Sequence, residues 1–511
     1  MYVVMMLNLI SLSAPAVSLC CVKLENVCCN VRPADRRPEA EDTPSDGTTE
    51  RPSSAAPPEA QQTMLDTSLA SSYQALQRMI SGDDAAIIPV SSATKSRAYR
   101  HLGGFTGDSA AWYTFVRYCE CLLFYVRQED IVLYLGPSLT MSPQQIFIGG
   151  YDHAIDSFIF DEAAGTLTKT NTTFESSPGP SWQHIVPEHR LLFSGCEGPE
   201  GGIGYLDSYK IGDDGGLTKV DRKECVQGCV SMDMGKNGFL VTASYDASGV
   251  NTYYTKETGE IIPLQTLRFT LPDGQPANPD IDPVRQDAAH PHEARIDPTG
   301  KFLLIPDLGS DYLRIFTITY GDKGEDTVIS EVEPLKNDIR AGPRHCYFDR
   351  TGNFMYLVEE LASMVRVYQV EYTGPRGIDF TPVQRISTLG LGRGPADTRI
   401  QKLKAAEVAI SPDDKHLYVS NRYDRSMPDG TDSIAHFLIN TDDGKLTFVE
   451  LTSAGGINPR HIRLSPDGGW MCIATQDTNR VAMFKRDQES GSILQDVITE
   501  GQSGQPVCIT W

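Results

Sequence analysis

Two Pro-Arg-His triplets, Pro343-Arg344-His345 and Pro459-Arg460-His461, each stand just ahead of an apolar run, and His290-Pro291-His292 opens a third segment of the same kind. Charged or polar residues also trail such runs: Asp307 in "PDLG" (306–309), Glu359 and Glu360 in "VEEL" (358–361), Arg422 in "SNR" (420–422) and Gln476 in "TQD" (475–477). A guanidinium is a planar fork of donors that matches a carboxylate or phosphate and keeps its charge at any working pH. An imidazole can pass a proton near neutrality. Arginines, histidines and a carboxylate brought together would form an anion clamp with a proton carrier. A turn has no structural need of Pro-Arg-His twice. His290 and His292, at i and i+2 on an extended strand, point the same way, but no clear third metal ligand accompanies them and no metal is expected.

These residues lie far apart in sequence, so the elements that carry them must return each to one place. From residue 146 onward the chain repeats a plan: a turn rich in Asp, Pro and Gly, an apolar strand, a polar break and a second apolar strand. It reads "DPTGKFLLIPDLGSDYLRIFTI" (297–318), "DRTGNFMYLVEELASMVRVYQV" (349–370), "SPDDKHLYVSNRYDRSMPDGTDSIAHFLI" (411–439) and "SPDGGWMCIATQDTNRVAMFKR" (465–486). The turns end at Gly300, Gly352, Asp414 and Gly468, in steps of 52, 62 and 54 residues. A second marker pairs acidic or polar residues with a glycine and a following strand, as in "EAAGTLT" (162–168), "DDGGLT" (213–218), "ETGEIIPL" (257–264), "DDGKLTFV" (442–449) and "ESGSIL" (489–494). Glycine there suits the positive φ of a tight hairpin.

Short strands in sets of four at a period near 50 predict a β-propeller. Seven apolar strands, at 146–150, 190–195, 238–243, 302–306, 354–358, 416–420 and 470–474, are read as the inner strands of seven blades. The expected architecture is all-β, seven four-stranded antiparallel blades over 141–511, with "PVCITW" (506–511) as the strand that closes the ring. Residues flanking inner strands would then converge on one funnel. Among them are "HPHEAR" (290–295), "GPRH" (342–345), "KAAEV" (404–408) and "NPRH" (458–461).

The formal charge of the 511-residue chain is −22, of which −4 falls in 1–140 and −18 in 141–511. Such an acidic chain lacks the basic footprint of a nucleic-acid binder, and an anionic ligand would need locally placed arginines. The 12 cysteines include no CxxC pair and read mainly as buried thiols. "MYVVMMLNLISLSAPAVSLCC" is apolar and ends in small residues but lacks a basic n-region, the first lysine being Lys23. A cytoplasmic protein is expected, secretion being the alternative if that segment acts as a signal; Asn171-Thr172-Thr173 leaves the alternative open. Asn8 and several serines interrupt the segment, so stable membrane insertion is not expected. Residues 30–62, rich in Pro, Ser, Glu and Ala, are expected to be disordered, and 1–140 as a whole reads as an N-terminal extension.

The blocks "HPHEARIDPTGKFLLIPDLGSD", "GPRHCYFDRTGNFMYLVEEL", "AEVAISPDDKHLYVSNR" and "NPRHIRLSPDGGWMCIATQDTNRVAMF" resemble, in order and spacing, those of the seven-bladed propeller lactonases. That family contains 6-phosphogluconolactonases and carboxymuconate lactonising enzymes. Over roughly 144–511 the resemblance implies a catalytic cluster of His292, Arg344, Glu360 and Arg422, with the family's "NEL" reading "EEL" here. Segments of blades two and three match loosely. The resemblance implies lactone chemistry on a small anionic substrate without a cofactor. Hydrolysis of the 6-phosphogluconolactone kind is favoured over cyclisation of a carboxymuconate, and a non-catalytic binding propeller is the competing class. In this reading Arg344 and Arg422 clamp the anion and His292 moves the proton. Glu360 activates water or, as its arginine neighbours favour, orients the others. Arg460, His461, His345, Asp307 and Gln476 are supporting residues at the mouth. A closed propeller buries its own edges, so a monomer is expected.

Overall fold

The computed structural model describes strands at Ala111–Thr114, Leu122–Val126 and Ile131–Leu135, and residues 144–511 apart from 199–201, 276–277, 323 and 397–401. The chain separates into two compact units, Met1–Ser142 and Pro143–Trp511. In the first, the three strands pair antiparallel in order. The expected disorder of 30–62 and the apolar N-terminal segment lie outside the described residues. Among the described residues no helix is long and apolar enough to cross a membrane.

The second unit is a seven-bladed β-propeller of four-stranded antiparallel sheets. Blade 1 closes the ring: Pro506–Thr510, the last strand of the chain, pairs with Gln144–Gly150, followed by Ile155–Asp161 and Thr166–Thr173. The remaining six blades each use four consecutive strands, with first strands at Pro180–Val186, Cys229–Met234, Arg295–Ile296, Pro343–Phe348, Lys404–Ile410 and Pro459–Leu464.

Repeat turns adopt the conformation their composition predicts. Gly300, Gly352 and Gly468 have φ of 72°, 73° and 73°, and Asp414, at the equivalent place, takes 57°. Aspartate tolerates this left-handed region better than most side chains, because its short carboxylate bonds locally. The first residue of each turn then caps the next strand. Asp297 and Asp349 accept the amides of Phe302 and Phe354 at 2.7 and 2.8 Å, and the hydroxyls of Ser411 and Ser465 accept those of His416 and Trp470 at 3.0 Å.

One expectation is corrected. The seven strands read as inner strands are the second strands of their blades. The first strands are the ones that touch their counterparts in neighbouring blades and line the channel. The reason is burial. Second strands such as Phe302–Asp307 and His416–Arg422 are buried at every position, covered by adjoining blades on both faces, so they carry the longest apolar runs. Blade-to-blade layers supply this cover, for example Tyr356, Val358 and Val367 against Val408, Leu417, Val419 and Phe437. Each such side chain withdrawn from water contributes about 1.5–3 kcal/mol. A strand facing the channel can be polar, which is why its residues read as segments flanking the apolar runs.

Candidate active site

The strand order explains why residues far apart in sequence meet. In blade 5 Pro343 pairs with Glu359, the turn at 349–352 lying at the opposite end of the hairpin. The start of a first strand and the end of a second strand therefore share one mouth. The same pairing recurs as Pro180 with Cys196, Pro291 with Asp307, Ala405 with Asn421, Pro459 with Thr475 and Pro506 with Gly150. One residue further along stand Arg344 and Arg460, in their first strands, and His292, after the isolated bridge of Pro291 that precedes the first strand of blade 4. Directly after the second strands stand Tyr151, Glu197, Tyr245, Glu360 and Gln476.

A register shift follows the first pair in four of these first strands, between Pro343 and Cys346 and between Pro459 and His461 among others, and in a fifth it follows the Ala405 pair. Such bulges re-aim side chains and are common beside functional sites. Here the shift lets consecutive residues Arg344 and His345 both find partners within the channel.

Glu360 is the centre of the mouth. It is fully buried, and its carboxylate accepts Arg344 Nη1 at 2.7 Å, while Arg422 Nη2 lies 2.7 Å from the same oxygen, Oε2. Its other oxygen accepts Arg285 Nη2 at 2.7 Å. Arg344 Nη1 also lies against His292 Nε2, and Arg344 Nε donates to the Ala406 carbonyl at 3.1 Å. His292, Arg344, Glu360 and Arg422 thus form one contiguous group, all less than one-tenth exposed.

The electrostatics follow from this geometry. Burial alone would raise Glu360, but Arg422, Arg285, Arg344 and Lys404 together hold its carboxyl well below the usual range. It is ionised and a poor base. Burial, followed by the charges of Arg344 and His345, pushes His292 well below the ordinary histidine value despite Glu360. The ring is neutral at pH 7. Arg344 can only donate, so Nε2 is the acceptor and the proton sits on Nδ1, which is buried with no partner. Burial is also the largest influence lowering Lys404, to about 8.

One layer along the channel, Glu407 accepts His345 Nδ1 at 3.0 Å and lies 3.4 Å from His461 Nε2. The Trp182 ring meets both histidines edge-on, at 5.5 and 5.2 Å. This layer borders a cavity of about 550 Å³, which reaches Arg295, Tyr347 and Arg463 and touches none of His292, Arg344, Glu360 or Arg422.

The supporting residues separate by role. Arg460 lies 3.7 Å from Glu197 and over the Tyr151 ring at 5.3 Å, and the Tyr151 hydroxyl donates to Glu197 at 2.5 Å. His345 and His461 belong to the Glu407 layer. Gln476 is half-buried and accepts Asn458 Nδ2 at 3.2 Å. Asp307 is spent on scaffolding: it accepts the His290 amide at 2.7 Å and pairs with Arg314 at 2.8 Å. His290 and His292 do not converge on a common point. His290 stacks on Tyr245 at 4.0 Å and bonds the Tyr245 carbonyl and Asp287, whereas His292 turns to Arg344. A Cβ on Gly309 would stand 1.8 Å from the Ala288 carbonyl, so glycine there lets the His290 segment pass.

Sequence reasoning set "KAAEV" (404–408) at the funnel without giving Lys404 or Glu407 a role, and it missed Arg285, Tyr151, Glu197 and Tyr245. Arg285 lies in a segment without strand pattern. The last three were detectable as the residues that directly follow the second strands of blades 1, 2 and 3, the positions equivalent to Glu360.

Residues 145–511 match the family model described as "Lactonase, 7-bladed beta-propeller". A probable 6-phosphogluconolactonase of Arthroderma benhamiae is 36% identical over 369 residues, covering 71% of this chain and 88% of that protein. A 6-phosphogluconolactonase of Bacillus subtilis is 29% identical over 315 residues, 60% of this chain and 80% of that one. Among solved structures, a putative 6-phosphogluconolactonase of Bacteroides fragilis superposes with a TM-score of 0.62 at 23% identity, covering 73% of this chain and 99% of the other. The periplasmic gluconolactonase of Pseudomonas aeruginosa gives 0.62 at 23% identity, covering 72% and 98%.

Proposed function

Because this chain belongs to the seven-bladed β-propeller lactonase family and is a lactone-hydrolysing enzyme, we propose that it opens 6-phosphogluconolactone at the group formed by His292, Arg344, Glu360 and Arg422. The observation that carries the site is the convergence of Arg285, Arg344 and Arg422 on the single carboxylate of Glu360. One anion cannot neutralise three guanidiniums, so the mouth holds excess positive charge inside an acidic chain. The names of the relatives favour hydrolysis over the cyclisation that the sequence left open.

Arg344 and Arg422 face the charge that develops. As water adds to the lactone carbonyl, the oxygen becomes an alkoxide, and preorganised donors in a buried site stabilise it without reorganising. A carbonyl oxygen arriving at Arg344 competes with His292 for the guanidinium. That frees the Nε2 lone pair to take a proton from the attacking water. The tetrahedral intermediate then collapses, the ring C–O bond breaks, and the departing oxygen receives the proton carried by His292. The product is the hydroxy acid. Glu360, ionised and held by three cations, fixes the positions of Arg344 and Arg422 and, through Arg344, of His292.

The test is turnover of 6-phosphogluconolactone by the full-length chain, with Arg344→Ala beside it. Expected is acceleration over the spontaneous rate and a loss of about 10²–10³ in kcat for the variant. Equal turnover by the two proteins refutes the site assignment, and no turnover by the wild type refutes the substrate.

A further inference from the structure

A cavity of about 870 Å³ adjoins the site on the same mouth. Its charged lining is Arg285, Lys402, Lys404 and Arg425 against one carboxylate, Asp282, with Tyr423 as its aromatic wall. Two of these cations also belong to the catalytic mouth. Arg285 holds Glu360 at 2.7 Å through Nη2, and its Nε is buried without a partner. Lys404 is the strand neighbour of Arg422 and stands over the Tyr423 ring at 6.0 Å. The cavity is therefore continuous in charge with the place where the carbonyl is activated.

Four cations facing one cavity need an explanation in a chain of net charge −22. Structural pairing accounts for part: Arg285 with Glu360, and Arg425 with Asp432 at 3.6 Å. Lys402 is exposed, and among the described contacts it has no carboxylate partner. Like charges gathered without compensation repel one another and lower stability. A doubly charged anion in the cavity would remove that repulsion and gain charge-assisted hydrogen bonds. Lysines serve as point charges and arginines as forks, a mixture that suits a tetrahedral oxyanion.

We propose that this cavity is a phosphate-ester subsite, and that Arg285, Lys402, Lys404 and Arg425 select lactones bearing a phosphoryl group distant from the ring carbonyl. The proposal rests on the lactonase reading above. It assigns the carbonyl to Arg344 and Arg422 and the phosphoryl group to the adjoining cavity, with Arg285 and Lys404 bridging the two. No bond to phosphorus is made or broken there; the group is held while the ring opens.

Lys402 and Arg425 touch neither Glu360 nor His292 and lie at the surface, so Lys402→Gln with Arg425→Gln tests the subsite with little risk to folding. Full-length wild type and double variant are compared on 6-phosphogluconolactone and on unphosphorylated gluconolactone. The ratio of kcat/KM for the first substrate to that for the second is expected to fall about tenfold in the variant. Titration with inorganic phosphate by calorimetry provides a readout independent of turnover, with the affinity expected to fall by a similar factor. An unchanged ratio, or phosphate binding that survives intact in the double variant, overturns the subsite. Wild-type protein that opens neither lactone while phosphate binding still depends on Lys402 and Arg425 overturns the substrate reading and leaves the subsite standing.

Discussion

Replacing Glu360 by glutamine keeps the shape of the side chain and removes the charge on which three arginines rely. The carboxylate is fully buried and each guanidinium contact is 2.7 Å. The contacts share one charge and do not add. Removing one partner of a buried ionic group costs about 3–5 kcal/mol, because the cations left behind are desolvated and repel one another. With an unfolding entropy of about 2.1 cal/mol/K per residue, the propeller unit of Pro143–Trp511 loses ~0.8 kcal/mol of stability per degree near its midpoint. Glu360→Gln is then expected to lower Tm by ~4–6 °C. Calorimetric melts at pH 7 measure this. In parallel, kcat/KM should fall about 100-fold, since Arg344 and His292 lose the anchor that sets their geometry. Residual activity should keep the wild-type pH profile, because Glu360 is ionised throughout the working range and does not titrate in it. A variant whose Tm moves by less than about 1 °C and whose kcat/KM stays within about twofold would refute the positioning role. Loss of the acid limb in the variant would identify Glu360 as the base instead.

Further outcomes follow from the same geometry. His292→Gln should lower kcat by about 10²–10⁴ with a smaller change in KM; an effect confined to KM would assign the ring to binding alone. In the wild type the acid limb of kcat/KM should lie well below pH 6.5, because burial and Arg344 keep His292 neutral, and a limb centred at the ordinary histidine value would contradict this. Above pH 8, loss of the Lys404 proton removes a cation from the mouth, so KM for the phosphorylated lactone should rise; a flat KM from pH 7 to 9 would argue against it. Acid should also destabilise the fold. Burial lowers His184, His292 and His416, and lowers His436 and His461 to about 4. The unfolded chain therefore takes up protons first, and stability complete above about pH 6.5 is lost as pH falls toward 4. A Tm unchanged between pH 7 and 5 would refute that sign. Deleting 506–511 removes the buried side chains Val507, Cys508 and Ile509 and the strand pairing that closes blade 1, so the truncated chain should fail to show a cooperative melt.

The sequence by itself determined what depends on neighbours in the chain. Apolar runs of five to seven residues and glycine turns at a period near fifty specify strands, hairpins and the number of blades. Even the outlier in that pattern, Asp414, takes the φ of its glycine equivalents. The chemical types at the mouth were legible as well, because Pro-Arg-His and His-Pro-His have no purpose in a simple turn. What remained hidden depends on closing the ring. Which strand faces the channel is decided by burial between blades, and the most apolar strands are the second ones, whereas hydrophobic pattern alone pointed to them as innermost. Arg285 was invisible because nothing in its local pattern marks it. Only the propeller brings it to Glu360, 75 residues away, alongside Arg344 and Arg422. The neutral state of His292 and the ionised state of Glu360 are likewise tertiary facts. Each is set by desolvation and by charges arriving from other blades, so no window of sequence could contain them.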